Sequence, residues 1–401
     1  MTHPSTPPKH FKVVGLVSTG HFLSHFYMLL IPPLFPLLKD EFGIGFTELG
    51  ITITVFSLVT GLTQAPVGFL VDRFGARKIL LCGLLLESAA FIWIGLSPSY
   101  WMLLAMMGVA GLANAVYHPA NYAILNASVQ SGRIGQAFSI HTAAGMLGNA
   151  VAPVTMVLLL SVTDWKTGLI VCGVTGGLAS VLIAANAGAL KETASQTEIK
   201  QPSTARSGLR LLFSQPILLG ALFFLCIGVA GHGVSAFGVA TLTVIHEITV
   251  TEAATILSAY LFASPIGVLC GGWIADRIRH HHLFAGVCFV AIALAFFTMA
   301  GLSMRLEVIA FVFVIAGFFS GVVSPSRDML IRSLAPPTEM GKVFGFVSTG
   351  FNVAGIIAPP LFGYILDHHN PSAVFWTVGA VSLLTVLTVV TTGQKRERNL
   401  A

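Results

Sequence analysis

The stretch GHFLSHF, residues 20–26, sets His21 and His25 four residues apart in an otherwise apolar run. On a helix that spacing puts both imidazoles on one face, together with Ser18 and Met28. An ionisable side chain inside a long apolar segment is expensive to keep, which makes it a functional candidate. The chain has few others: Glu87, His118, His141, His232 and the trio Arg327, Asp328 and Arg332. Imidazole, with an ordinary pKa of ~6.5, exchanges protons near neutral pH and can hold an anion when charged or a metal when neutral. His118 precedes Pro119, whose missing N–H frees a backbone carbonyl and bends a helix. Asn121 and Tyr122 follow within a turn. His141 lies two turns into a later apolar segment. Glu87, a carboxylate near a segment centre, could carry a proton or hold a structural hydrogen bond. Asp328 and Arg332 stand at i,i+4 and can pair on one face, and Arg327 beside them could draw in an anion.

These side chains must be positioned by elements made of apolar sequence. Of 401 residues, 55% are hydrophobic and 9% charged, against roughly 25% charged in a soluble domain. No soluble core hides that much apolar surface, so the composition implies an all-α integral membrane protein. The net charge of +5 does not point to nucleic acid, and its placement along the chain matters more. Five cysteines sit in apolar segments without CxxC spacing and read as small buried side chains. The loop clusters RHHH (279–282) and HHN (368–370) lack cysteine or acidic partners at zinc spacing. Spacing along the chain therefore flags no metal set and no cofactor. Neither a nucleophile–base constellation nor a phosphate-cradling loop is present, and an enzyme is not expected.

A bilayer-crossing helix needs about 20 apolar residues. Twelve segments qualify: 13–38, 47–71, 79–97, 101–127, 135–161, 165–190, 215–244, 252–275, 283–303, 307–331, 341–366 and 372–392. The polar stretch 191–214 is the longest break, giving a bundle over 1–190, a cytoplasmic linker over 191–214 and a second bundle over 215–401. With both termini cytoplasmic, Lys39, Lys166 and Arg305 are the only basic side chains left outside, so 18 of 21 lie inside. Trp101, Trp165 and Trp376 open segments on the outer side, as an interfacial aromatic belt requires.

The halves repeat. GFLVDRFGARK (68–78) returns as GWIADRIRHHH (272–282), with Gly68, Asp72 and Arg73 matching Gly272, Asp276 and Arg277 at an offset of 204. Gly111, Pro119, Gly135, Phe138, Ala152 and Pro153 return 206 residues later. GHFLSHF itself aligns with GHGVSAF (231–237), which pairs His21 with His232 and His25 with Ala236. Two related six-span halves are the mark of a transporter with a site between repeats.

The G-x-x-x-D-R-x-G-x-R-K loop after segment 2, with its degenerate copy after segment 8, resembles the signature loop of the major facilitator superfamily. A shorter resemblance, in PLFPLLKDEFGIGFTELG (33–50) and AVYHPAN (115–121), is to the fosmidomycin-resistance-like branch. AGMLGNAVAP (144–153) partly resembles the Gly/Pro motif of drug/proton antiporters, but Ala152 replaces the usual glycine. The resemblance implies two pseudo-symmetric six-helix bundles that rock about a midplane site, with spans 1, 4, 7 and 10 lining a cavity. It makes Gly68, Asp72, Arg73, Gly75, Arg77, Asp276 and Arg277 a conformational latch at the cytoplasmic edge, in a tight turn. His21, His25, His118, Asn121, Tyr122, His232 and Arg327 become the substrate and proton pathway, with Glu87, His141 and Asp328 as further coupling groups.

Together these readings lead to a secondary transporter for a small organic solute, an anion or a drug, coupled to protons. It is expected as a monomer in a bacterial inner membrane. A transporter of transition metals or their chelates, using the intramembrane histidines, is the alternative. A membrane sensor that moves nothing is a third.

Overall fold

The computed structural model describes residues 7–96, 98–130, 133–190, 211–275, 277–278, 280–334, 340–368 and 370–400. Most of the predicted linker, 191–210, lies outside them. Fifteen α-helices carry the described chain. They are α1 (Pro7–Met28), α2 (Phe35–Phe42), α3 (Phe46–Phe74), α4 (Ala76–Leu96), α5 (Tyr100–Asn114), α6 (Tyr117–Ser128), α7 (Ile134–Leu160), α8 (Trp165–Ala185), α9 (Gln215–Ser235), α10 (Gly238–His246), α11 (Val250–Ala275), α12 (His281–Gly301), α13 (Leu306–Leu334), α14 (Met340–His368) and α15 (Ala373–Leu400). Eleven stretches among them are long and apolar enough to cross a membrane, and Ala373–Val389 is a further apolar helix. The protein is an all-α integral membrane protein of twelve spans.

Local chemistry sets the helix ends. Ser99 caps α5 by accepting the Met102 N–H, and Asp164 caps α8 by accepting the Thr167 N–H at 2.8 Å. That bond, on an exposed carboxylate, holds the Asp164 carboxyl below its usual range. Pro66, Pro153, Pro265 and Pro325 sit inside α3, α7, α11 and α13 without ending them, as neighbouring helices in a membrane allow.

Three expected spans are broken. Segment 101–127 divides into α5 and α6 at Ala115 and Val116, segment 215–244 into α9 and α10 at Ala236 and Phe237, and segment 13–38 into α1 and α2 across residues 29–34, with a 3-10 turn at Pro32–Leu34. In the first, Pro119 cannot donate to the Ala115 carbonyl, and the chain turns through that freed group. A second correction concerns the signature loop. Asp72 and Arg73 complete the last turn of α3 rather than forming a turn. The reversal is at Gly75, whose φ of 92° needs the freedom of glycine.

Contacts divide the chain into two compact units, Met1–Leu34 with Ile51–Thr197, and Phe35–Gly50 with Glu198–Ala401. In the first, α1 packs on α6 and α7, and α4 packs on α5 and α8. In the second, α9 packs on α14 and α15, α11 on α13, and α12 on α13 and α15. Glycines let the backbones close. A Cβ on Gly111 would strike the Phe56 carbonyl, and one on Gly317, its repeat partner, the Tyr260 carbonyl. The repeat seen in the sequence is thus a repeat of helix contacts.

Candidate functional site

Four imidazoles meet inside the first unit. His21 and His25 come from α1, His118 from the first turn of α6 and His141 from α7. The His21 ring centroid lies 3.8 Å from that of His141, stacked, 4.6 Å from that of His25 and 5.3 Å from that of His118. Tyr122 closes one side, 5.7 Å from His118 and 5.9 Å from His141. One ligand nitrogen each from His21, His118 and His141 all fall within 4.8 Å of one another.

Glycines on α7 make this approach feasible. A Cβ on Gly145 would stand 2.6 Å from Cε1 of His21 and 2.9 Å from Cδ2 of His25, and one on Gly148 would strike the Phe22 carbonyl. The small residues of AGMLGNAVAP therefore seat two imidazoles as well as a neighbouring backbone.

His21 Nδ1 bonds the carbonyl oxygen of His141 at 2.8 Å. A carbonyl only accepts, so Nδ1 carries the proton and Nε2 is left with a lone pair. Nε2 of His21, Nδ1 of His25 and both ring nitrogens of His141 are buried without a hydrogen-bond partner among the described residues. Asn121, one turn beyond His118 and fully buried, has neither amide atom partnered. Native interiors rarely tolerate such atoms, and their concentration here marks a place prepared for something polar.

Glu87 lies apart from that group. It is fully buried, and its carboxylate accepts the Tyr117 hydroxyl, with Asn114 beside it. Asn114 in turn donates to Ser24 at 3.4 Å. The carboxylate therefore fastens α4 to the start of α6, next to the helix break. Tyr117 as partner was not foreseen, although it is the residue before His118.

The remaining candidates are dispersed. His232 is half-buried in the last turn of α9 in the second unit. In that unit Arg327 Nε donates to Asp328 at 2.8 Å, and its guanidinium lies 5.3 Å from the Phe224 ring. Asp328 is thus engaged by its neighbour, and the side chain of Arg332 lies outside the described residues. Of the latch residues, Gly68 lies in α3, and Asp72 is exposed without a hydrogen bond or ion pair among the described residues. Arg73 stacks on Phe74 at 5.3 Å. Arg77 donates to the Ala187 carbonyl at 3.4 Å, and Arg277 to the Trp273 carbonyl at 2.8 Å. Asp276 lies outside the described residues.

One cluster escaped the sequence reading. In the second unit the Asp367 carboxylate, from the last turn of α14, accepts the Phe46 and Thr47 N–H groups at 2.9 and 2.8 Å. It also accepts the Thr47 hydroxyl at 2.7 Å, and Lys39 Nζ stands 3.4 Å away. Asp367 is an N-cap for α3 supplied from 320 residues away. The only local signal was the missing Ser, Thr, Asp or Asn directly before Phe46.

Twelve spans in two units of matching contacts, with polar groups gathered at broken helices, define a membrane transporter rather than a bundle of anchors. A family model described as Major Facilitator Superfamily matches residues 17–245 and 223–400, and the chain belongs to that family. It is 24% identical to the "Fosmidomycin resistance protein" of Escherichia coli K12 over 94% of this chain and 92% of that one. It is 22% identical to the "Probable sulfoacetate transporter SauU" of Cupriavidus necator over 96% of each. In fold it resembles the crystal structure of a bacterial homolog to the human lysosomal transporter Spinster, inward-facing and occupied. There the TM-score is 0.77 at 14% identity, covering 98% of this chain and 97% of that one.

Proposed function

We propose that the protein is a secondary active transporter that moves a small organic anion, or a drug of similar size, by alternating access of its two six-span halves. Protons are the coupling ion. The chain acts as a monomer in a bacterial inner membrane with both termini in the cytoplasm. The observation that carries this reading is the group of buried, unpartnered nitrogens on α1, α6 and α7, the helices of spans 1, 4 and 5. Hydrogen-bonding groups left open in a protein interior are what a polar solute completes as it sheds water. The sulfoacetate in one relative's name supports an anion, and the fosmidomycin in the other's supports a drug.

The test uses purified protein in proteoliposomes with an imposed pH gradient. Radiolabelled sulfoacetate, fosmidomycin and a panel of small carboxylates, sulfonates and phosphonates are offered in turn. The expected result is counterflow of at least one of them, accelerated by the gradient and slowed tenfold or more by His25→Ala. Flux that ignores the gradient overturns the coupling. Absence of counterflow for the whole panel overturns the anion reading.

A further inference from the structure

We propose that His21, His118 and His141 form a binding site for a divalent transition cation of the zinc, cobalt and nickel class, with His25 walling one side. The inference stands on the geometry of the first unit and does not depend on the organic-anion reading.

Three observations lead to it. The first is composition: the converging groups are imidazoles from three helices, and no carboxylate joins them. Imidazole nitrogen suits zinc, cobalt, nickel and copper, whereas magnesium and calcium demand oxygen. The second is distance. A zinc–nitrogen bond of ~2.0–2.1 Å places tetrahedral ligands about 3.3 Å apart. Ligand atoms already lie within 4.8 Å of one another, and the stacked His21 and His141 rings must tilt out of parallel for their lone pairs to converge on one ion.

The third is the hydrogen bond behind the site. Metal-bound histidines generally donate their other ring N–H to a carboxylate or a backbone carbonyl, which fixes the tautomer and aims the free lone pair. His21 is held this way: Nδ1–H is spent on the His141 carbonyl, and buried Nε2 is left open. His141 is fully buried with both nitrogens unpartnered. A pair of packing histidines would have partnered these atoms, since each buried orphan costs about 1–3 kcal/mol. A cation bound through three protein nitrogens keeps a further position for a water or a solute oxygen.

The experiment uses the full-length chain without an affinity tag, purified in detergent and titrated with Co2+. Cobalt bound by nitrogen in a near-tetrahedral site gives intense visible absorption, where aqueous Co2+ is faint. The expected result is one equivalent of such absorption, abolished by Zn2+ and untouched by excess Mg2+ or Ca2+. His118→Asn and His141→Gln, each first checked for an unchanged thermal melt without metal, should each weaken Co2+ binding at least tenfold. Combined His280→Gln, His281→Gln and His282→Gln in the loop should leave it unchanged. The proposal is overturned if the folded wild-type protein gives no absorption, if the signal survives both cluster substitutions, or if it is lost in the loop variant. Cobalt binding without counterflow of any organic solute would remove the anion reading and leave this one in place.

Discussion

His21 donates its Nδ1 proton to the backbone carbonyl of His141 across 2.8 Å, while the two rings lie stacked with centroids 3.8 Å apart. One side chain therefore grips another residue's backbone and covers its ring at once. His21→Ala loses both contacts and should lower stability by about 0.5–1.5 kcal/mol for the hydrogen bond, with more from the cavity. Flux should fall tenfold or more. A melting curve of the variant separates the two effects, since a small drop in melting temperature cannot account for a tenfold loss in transport.

Gly145→Ala adds one methyl group where His21 and His25 already stand, with Cε1 of His21 2.6 Å from the new carbon. Overpacking of this kind costs about 1–3 kcal/mol. The rings must move, so solute flux and cobalt absorption should both fall. Gly135→Ala, at the start of the same helix with open space around it, should change neither. Equal effects from the two substitutions would remove the claim that Gly145 seats the imidazoles.

The Glu87–Tyr117 pair calls for a double-mutant cycle. Glu87→Leu strands the buried Tyr117 hydroxyl, and Tyr117→Phe strands the carboxylate, so each should destabilise by about 1–3 kcal/mol. Both together should cost less than the sum of the two. Glu87→Gln keeps an acceptor for Tyr117 and should melt within a few degrees of wild type. If Glu87→Gln also abolishes proton-driven flux but leaves counterflow intact, Glu87 is a coupling group beyond its structural bond.

Asp367→Ala removes the acceptor from two N–H groups and a hydroxyl at the start of α3. Loss of an N-cap costs about 0.5–2 kcal/mol. Asp367→Asn keeps an acceptor but surrenders the charge that favours a helix N-terminus and should recover about half of it. Thermal unfolding of both variants measures the order. A ranking with Asn below Ala would contradict the capping account.

Asp72→Asn tests the latch. Asp72 is exposed and unpaired among the described residues, so its replacement should not disturb melting or membrane insertion. A latch that pairs this carboxylate in another state of the transport cycle predicts a several-fold drop in transport. Normal flux in a correctly inserted variant would make the loop topogenic only.

The spans were legible because about 20 apolar residues in a row leave a chain few alternatives; the repeat was legible because glycines and prolines were kept where backbones touch. The helix breaks were half legible. Pro119 announced one, but Pro325, its repeat partner, sits in an unbroken α13, so proline alone did not decide. Tertiary surroundings did. The imidazole group was legible as a set of candidates and not as a set of neighbours. His21, His118 and His141 are separated by some 120 residues at the widest, and no local pattern encodes their meeting. Asp367 was invisible for the same reason: an N-cap borrowed from a distant helix leaves no motif beside the helix it caps.

The break between α5 and α6 has a wider meaning when the copies are compared. At the repeat offsets, His25, His118 and His141 correspond to Ala236, Ser324 and Val347, while Asn121 and Tyr122 correspond to Arg327 and Asp328. Gly145, which makes room for the rings, corresponds to Phe351. A duplicated gene begins with everything twice and then divides the labour. Here one half gathers imidazole nitrogens around a broken helix, and the other has an unbroken helix with a cation and an anion at the same address. The ancestral symmetry survives in the architecture, and the inheritance of chemistry has become unequal.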